Sequence, residues 1–114
     1  MTRQLIFATS LAAFVVLAFW TAVSGATSRK ILYVDSYHES YPWSAGITSG
    51  IQSVLSSHAD VELKILRMDT KRNPTEDFKQ SAALKVKKFI EFWQPELVIT
   101  SDDNAAKYLI VPYF

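Results

Sequence analysis

The chain has 114 residues, with 12 basic and 11 acidic side chains, two histidines and no cysteine. That length allows one domain or less, and the near-balanced charge gives no field for nucleic acid or an anionic membrane surface. The absence of thiols excludes a disulfide framework, a thiolate metal site, a cysteine nucleophile and a lipid-modified cysteine after the leader.

The first predicted element is a secretory signal peptide over residues 1–26. Arg3 supplies the positive start, "LIFATSLAAFVVLAFW" (5–20) the apolar run, and "TAVSGA" the small residues, with Ser24 and Ala26 at the −3 and −1 positions of a cleavage site. The apolar run also approaches the roughly 20 residues that span a bilayer, so a retained anchor is the alternative. Cleavage after Ala26 removes Arg3 and leaves 88 residues with 11 basic against 11 acidic side chains. An exported domain with no disulfides suits a bacterial periplasm. A chain this short buries only a modest share of its surface and depends on good packing.

"KILYV" (30–34) is a short apolar, β-branched run without alternation and reads as a strand buried on both faces. It is followed by "DSYHESYPWSAG" (35–46), where three aromatic rings and a histidine crowd a connection that needs only a few polar residues. Residues 45–57 place Ile47, Ile51, Val54 and Leu55 on one helical stripe, with Ser44 at the expected N-cap. Trp43, just before that helix, also suits a staple packing on Ile47. "VELKILRM" (61–68) alternates apolar residues with Glu62, Lys64 and Arg67, the pattern of a sheet edge.

"DTKRNPTEDF" leads into the strongest helix. Asn73 as N-cap, Pro74 at the first helical position and Glu76 three residues on make a capping box. Phe78, Ala82, Val86, Phe89, Ile90 and Trp93 share a face, and "QP" at 94–95 ends the helix. "ELVIT" (96–100) is a third strand, "SDDN" offers cap chemistry, and "AAKYLIVPYF" begins a third helix that Pro112 interrupts.

The order β-α-β-α-β-α predicts an α/β fold of three layers, a parallel sheet flanked by helices. An edge-like second strand sets the order at 2-1-3. The outer edge of the third strand then lacks a partner, and doubly wound domains usually continue to five or six strands. Residues 27–114 are therefore expected to be a partial lobe.

Ligands of open α/β sheets lie beyond the carboxyl ends of the strands, where strand order reverses. With order 2-1-3 that point joins the loop after strand one to the loop after strand three. The expected ligand-binding residues are Ser36, Tyr37, His38, Tyr41 and Trp43 from the first loop, and Ser101, Asp102, Asp103 and Asn104 from the third. Asp69, after strand two, is a weaker candidate. Aromatic walls give contact area at low entropic cost, with polar tips for orientation. Each residue also has a structural alternative, Asp35 and Asp102 above all as caps of the loop backbone.

Catalytic and metal chemistry finds little support. Asp35, Ser36 and His38 hold the residue types of a hydrolase triad but are local in sequence, and no nucleophile elbow is present. Asp35, His38, Asp102 and Asp103 contain a single imidazole and match no metal-ligand spacing. Glycines at 25, 46 and 50 form no phosphate loop. The expectation is a non-enzymatic protein without a cofactor.

"KILYVDSYHESYPWSAGITSGI" (30–51) and "LVITSDDNAAKYLIVPYF" (97–114) resemble the start of the ABC-transporter substrate-binding proteins of the uncharacterised transport-system type, over residues 30–114. The resemblance implies a fold like that of type I periplasmic binding proteins, with two lobes closing on a small solute such as an amino acid. It implies an ABC permease in the inner membrane as partner. Similar segments occur in extracytoplasmic sensor regions of bacterial signalling proteins, so a membrane-anchored ligand sensor is the alternative, and a non-functional truncated remnant a further one. The departure from the family is length, since this sequence would supply only the first half of one lobe.

Overall fold

The computed structural model describes residues 27–114, so the leader reading of residues 1–26 lies outside the described residues. The chain runs β1 (Arg29–Asp35), α1 (Pro42–Leu55), β2 (Val61–Arg67), α2 (Glu76–Trp93), β3 (Leu97–Ser101), α3 (Asp102–Ala105), a π-helical turn (Ala106–Ile110) and α4 (Val111–Tyr113). All three strands are parallel, in the order β2-β1-β3. Helices cover both faces of the sheet, giving the three-layer α/β arrangement that the strand and helix periods predict. Among the described residues the outer edge of β3 has no strand partner.

Alternation along β1 divides its side chains between the faces. Leu32 and Val34 point to one side, where Ala83, Val86 and Trp93 of α2 and Ala105, Tyr108 and Leu109 of the last helical segment complete the main core. Leu32, Val34 and Leu109 are fully buried, and each contributes about 1.5–3 kcal/mol by leaving water. Ile31, Tyr33 and Asp35 face the opposite side, which α1 covers.

The second layer differs from its sequence pattern. Ile47, Ile51 and Leu55 are only half-buried and Val54 is 65% exposed, whereas Ser44 and Thr48 are the buried residues of α1. Ile51, Val54 and Leu55 instead line an open groove with Ile31, Leu97 and Ile99 toward the amino end of the sheet. Ser44 and Thr48 are drawn inward because Asp35 and Arg67 lie beneath them and need hydrogen-bond partners.

Helix starts and stops also shift. Ser44 does not cap α1: Tyr41 occupies the N-cap without a side-chain bond, and Pro42 starts the helix with its fixed φ. Asn73 does not cap α2. Its amide donates to the backbone and carboxylate of Asp69, so the helix begins later, where the Thr75 hydroxyl accepts from the Phe78 amide at 3.3 Å. Glu76 consequently opens the first turn rather than closing a capping box. Gln94 ends α2 in the left-handed region, at φ 51.

Pro112 does not interrupt the last helix, which continues to Tyr113. Proline removes the amide that would bond to the Tyr108 carbonyl and crowds that carbonyl with its ring. The widened π turn lies directly before it, the usual device for absorbing such a break.

Candidate functional site at the carboxyl end of the sheet

Pairing fixes where the loops emerge. Asp35, the last residue of β1, aligns with Arg67 of β2 on one side and Ser101 of β3 on the other. All three strands therefore end level, and the loops after them start from one line.

Asp35 holds that line from below. Its side chain is fully buried; one oxygen accepts from the Ser44 hydroxyl (2.8 Å) and the Tyr37 amide (2.9 Å), and the other from Arg67 at 2.5 Å. A buried carboxylate is tolerated only with such partners. Arg67, expected to face solvent on an edge strand, is turned in to supply the charge, with only 19% of its side chain exposed.

Ser36 ties the first loop to the third. Buried to 0% exposure, its hydroxyl donates to the Ser101 carbonyl (2.7 Å) and accepts from the Ala105 amide (2.8 Å), which caps the last helical segment from outside it. Ser101 is engaged as well, its hydroxyl bonded to Tyr33 at 2.8 Å. Burial pushes the Tyr33 hydroxyl above its ordinary value, against the lowering effect of that bond. Asn104 donates to Thr70 at 2.7 Å, and the Thr70 hydroxyl donates to the Ser36 carbonyl at 2.6 Å. Ser36, Ser101 and Asn104 thus form the frame beneath the site.

Tyr37, His38, Tyr41, Trp43, Asp102 and Asp103 form its outer surface. Trp43 is 61% exposed and its indole N–H reaches across to Asp102 Oδ1 at 3.1 Å, the direct bond between the first and third loops. The indole is thus turned toward the third loop rather than buried as a staple. Tyr37 and Tyr41 meet edge to face, with centroids 5.2 Å apart at 81°. His38 lies 5.8 Å from the Tyr41 ring. Burial raises the Tyr37 hydroxyl above its ordinary value, and the nearby Asp102 charge adds to that shift.

Asp102 carries two costs. Its backbone sits at φ 68, a left-handed conformation that costs a non-glycine residue on the order of 1 kcal/mol. Its second carboxylate oxygen is withdrawn from solvent with no hydrogen-bond donor, as is His38 Nδ1. Buried polar atoms are nearly always satisfied, so exceptions need a reason.

The loop after β2 joins the site more closely than its sequence suggests. Asp69 N donates to the Tyr37 carbonyl and Thr70 N to that of Ser36, both at 3.0 Å, zipping the first two loops together. Asp69, also left-handed at φ 55, accepts from Arg72 Nε (2.7 Å) and Nη2 (3.0 Å). Those bonds hold its carboxyl below the usual range. His38 Nδ1 lies 3.7 Å from Asp69, too far for a hydrogen bond. Lys71, which no motif marks, places its ammonium 5.0 Å from the Tyr37 ring and 4.9 Å from the Tyr41 ring.

Asp35, Ser36 and His38 form no relay, since the first two are bonded elsewhere. Among the described residues no group of three or more histidine, aspartate or glutamate side chains is placed to hold a metal ion. Nor is any helix among them long and apolar enough to cross a membrane. Concavities lined by other residues are an apolar one between β2 and the Phe78–Phe89 stretch of α2, which reaches Asp69 at its edge, one beside His58, and the α1–β3 groove. The sequence matches no family model, no curated protein and no solved structure.

Proposed function

We propose that residues 27–114 form one wall of the ligand cleft of an exported solute-binding protein serving an ABC importer. The solute is a small organic molecule such as an amino acid, held without covalent chemistry. Closure of an opposing lobe over it would favour the state that an inner-membrane permease recognises. The resemblance of residues 30–51 and 97–114 to such proteins motivates the role, and the signal-peptide pattern of residues 1–26 motivates the compartment.

The observation that carries the reading is Asp102. It is strained, fixed by Trp43 on one oxygen and unpartnered on the other, beside aromatic rings at the switch point of an open sheet. Strain and unsatisfied polarity are tolerated where a ligand completes the set, and a few convergent polar groups among aromatics describe a solute site.

Titrating the chain with a panel of amino acids and other small polar solutes tests it, with tryptophan fluorescence as readout and Trp43→Phe as control. A saturable change in the parent that disappears in Trp43→Phe is the expected result. Silence across the panel, or an unchanged response in Trp43→Phe, overturns the assignment. Export is checked by the intact mass of the protein from its native cell: loss of residues 1–26 supports the periplasmic role, and retention favours an anchored ligand sensor.

A further inference from the structure

The ring pair at the mouth of the site already holds a cation. Lys71 lies about equally close to Tyr37 and Tyr41, whose planes stand 81° apart and form a corner. Among the described residues its ammonium pairs with no carboxylate; the neighbouring basic groups do, Arg72 with Asp69 and Arg67 with Asp35. Two aromatic faces converging on one charge is the arrangement that recognises ammonium groups, through attraction between the cation and the electron-rich ring faces.

The surrounding charges favour the same sign. Arg72 neutralises Asp69. Asp102 and the exposed Asp103 both bring negative charge to bear on the Tyr37 hydroxyl, opposed there by Lys71. An anionic solute would meet two carboxylates and one lysine on a flexible stem. A cationic solute would meet two rings and two carboxylates, provided Lys71 withdrew. Withdrawal is easy, because Lys71 is exposed and its ammonium is strongly hydrated in water.

We propose that the site selects a solute bearing an ammonium group, and that Lys71 is a built-in placeholder which that group displaces from the Tyr37–Tyr41 corner. The inference rests on the solute-binding reading and gives it a ligand class. It also fixes the sign of a substitution effect. A lysine that contacts the ligand weakens binding when removed; a placeholder strengthens it.

The test compares choline with 3,3-dimethyl-1-butanol, its uncharged isostere, on the full-length chain and on Lys71→Met. Ring-proton shifts of Tyr37 and Tyr41 report occupancy. The expected result is choline binding at least about fivefold tighter than the isostere, and about two- to fivefold tighter still in Lys71→Met. Lys71→Arg, which restores a cation, should return choline affinity to the parent value. Equal affinity for the two probes, silence toward choline, or weaker choline binding in Lys71→Met overturns the proposal. These failures remain distinct from failure of the solute-binding reading, which falls if the broad panel is silent or if its response is unchanged in Trp43→Phe.

Discussion

Replacing Asp35 with alanine should cost the chain much of its stability. The substitution strips the acceptor from the Ser44 hydroxyl, the Tyr37 amide and Arg67 in one step. Breaking a buried ion pair by removing one partner costs about 3–5 kcal/mol. Each buried donor left without an acceptor adds about 1–3 kcal/mol, although these losses overlap and Arg67 recovers some hydration through its 19% exposure. A total of about 4–6 kcal/mol compares with a native stability of roughly 4–13 kcal/mol, at the usual value per residue over the described segment. Asp35→Ala should thus lose from about a third of that stability to all of it, and unfolds outright if the parent lies at the low end of the range. Asp35→Asn keeps an acceptor for Ser44 and Tyr37 but loses the charge facing Arg67, and should lose about 2–3 kcal/mol. Urea unfolding followed by far-ultraviolet circular dichroism reads both. With a slope of about 1 kcal/mol per M for a small domain, Asp35→Asn should lower the midpoint by about 2–3 M. Adding Arg67→Met should restore part of that loss, because no charge is left unpaired. An Asp35→Ala midpoint within about 0.5 M of the parent would show that the carboxylate does not hold the strand ends level.

Further consequences concern the caps and the loop after β2. Gln94→Gly relieves the left-handed cap before Pro95 and should stabilise the fold by about 0.5–1 kcal/mol, read as a higher urea midpoint. Thr75→Ala should cost about 1 kcal/mol and speed hydrogen exchange at the Phe78 amide, whereas Asn73→Ala should leave that amide protected. Asp69 and Glu76 are both held low, the first by its bonds to Arg72 and the second by the Tyr108 hydroxyl at 2.5 Å. Because their folded values are depressed, the stability they contribute is present above about pH 4 and is lost as pH falls through those lowered values. Carboxyl carbon shifts should titrate below the ordinary range for both, and titration at or above that range would contradict the contacts.

Much of the fold is legible along the chain because local pattern and tertiary environment agree there. Glu62 and Lys64 mark β2 as an edge, and an edge-like β2 leaves β1 and β3 side by side, which is enough to bring Trp43 to Asp102. Disagreement begins where a polar side chain has a choice of partner. Ser44 looks like a cap but serves Asp35, and Asn73 looks like a cap but serves Asp69. Neither choice is visible without the neighbouring loop. The isoleucines of α1 promise a core face, yet the buried positions go to Ser44 and Thr48 because a charged pair lies beneath them. Nothing along the chain marks Lys71, since its rings are more than 29 residues away. The two left-handed aspartates carry no sequence mark, because aspartate is common in turns of every kind.

The central claim is that the loops after β1 and β3 together make a surface that takes up solute. The indole N–H resonances of the full-length chain test it most directly, with Trp20, Trp43 and Trp93 as three separate reporters. On adding a binding solute, the account predicts that the Trp43 resonance moves together with the amides of residues 37–41 and 102–103, while Trp93 stays fixed. Shifts confined to Ile51, Val54 and Leu97 in the groove at the opposite end of the sheet would contradict it.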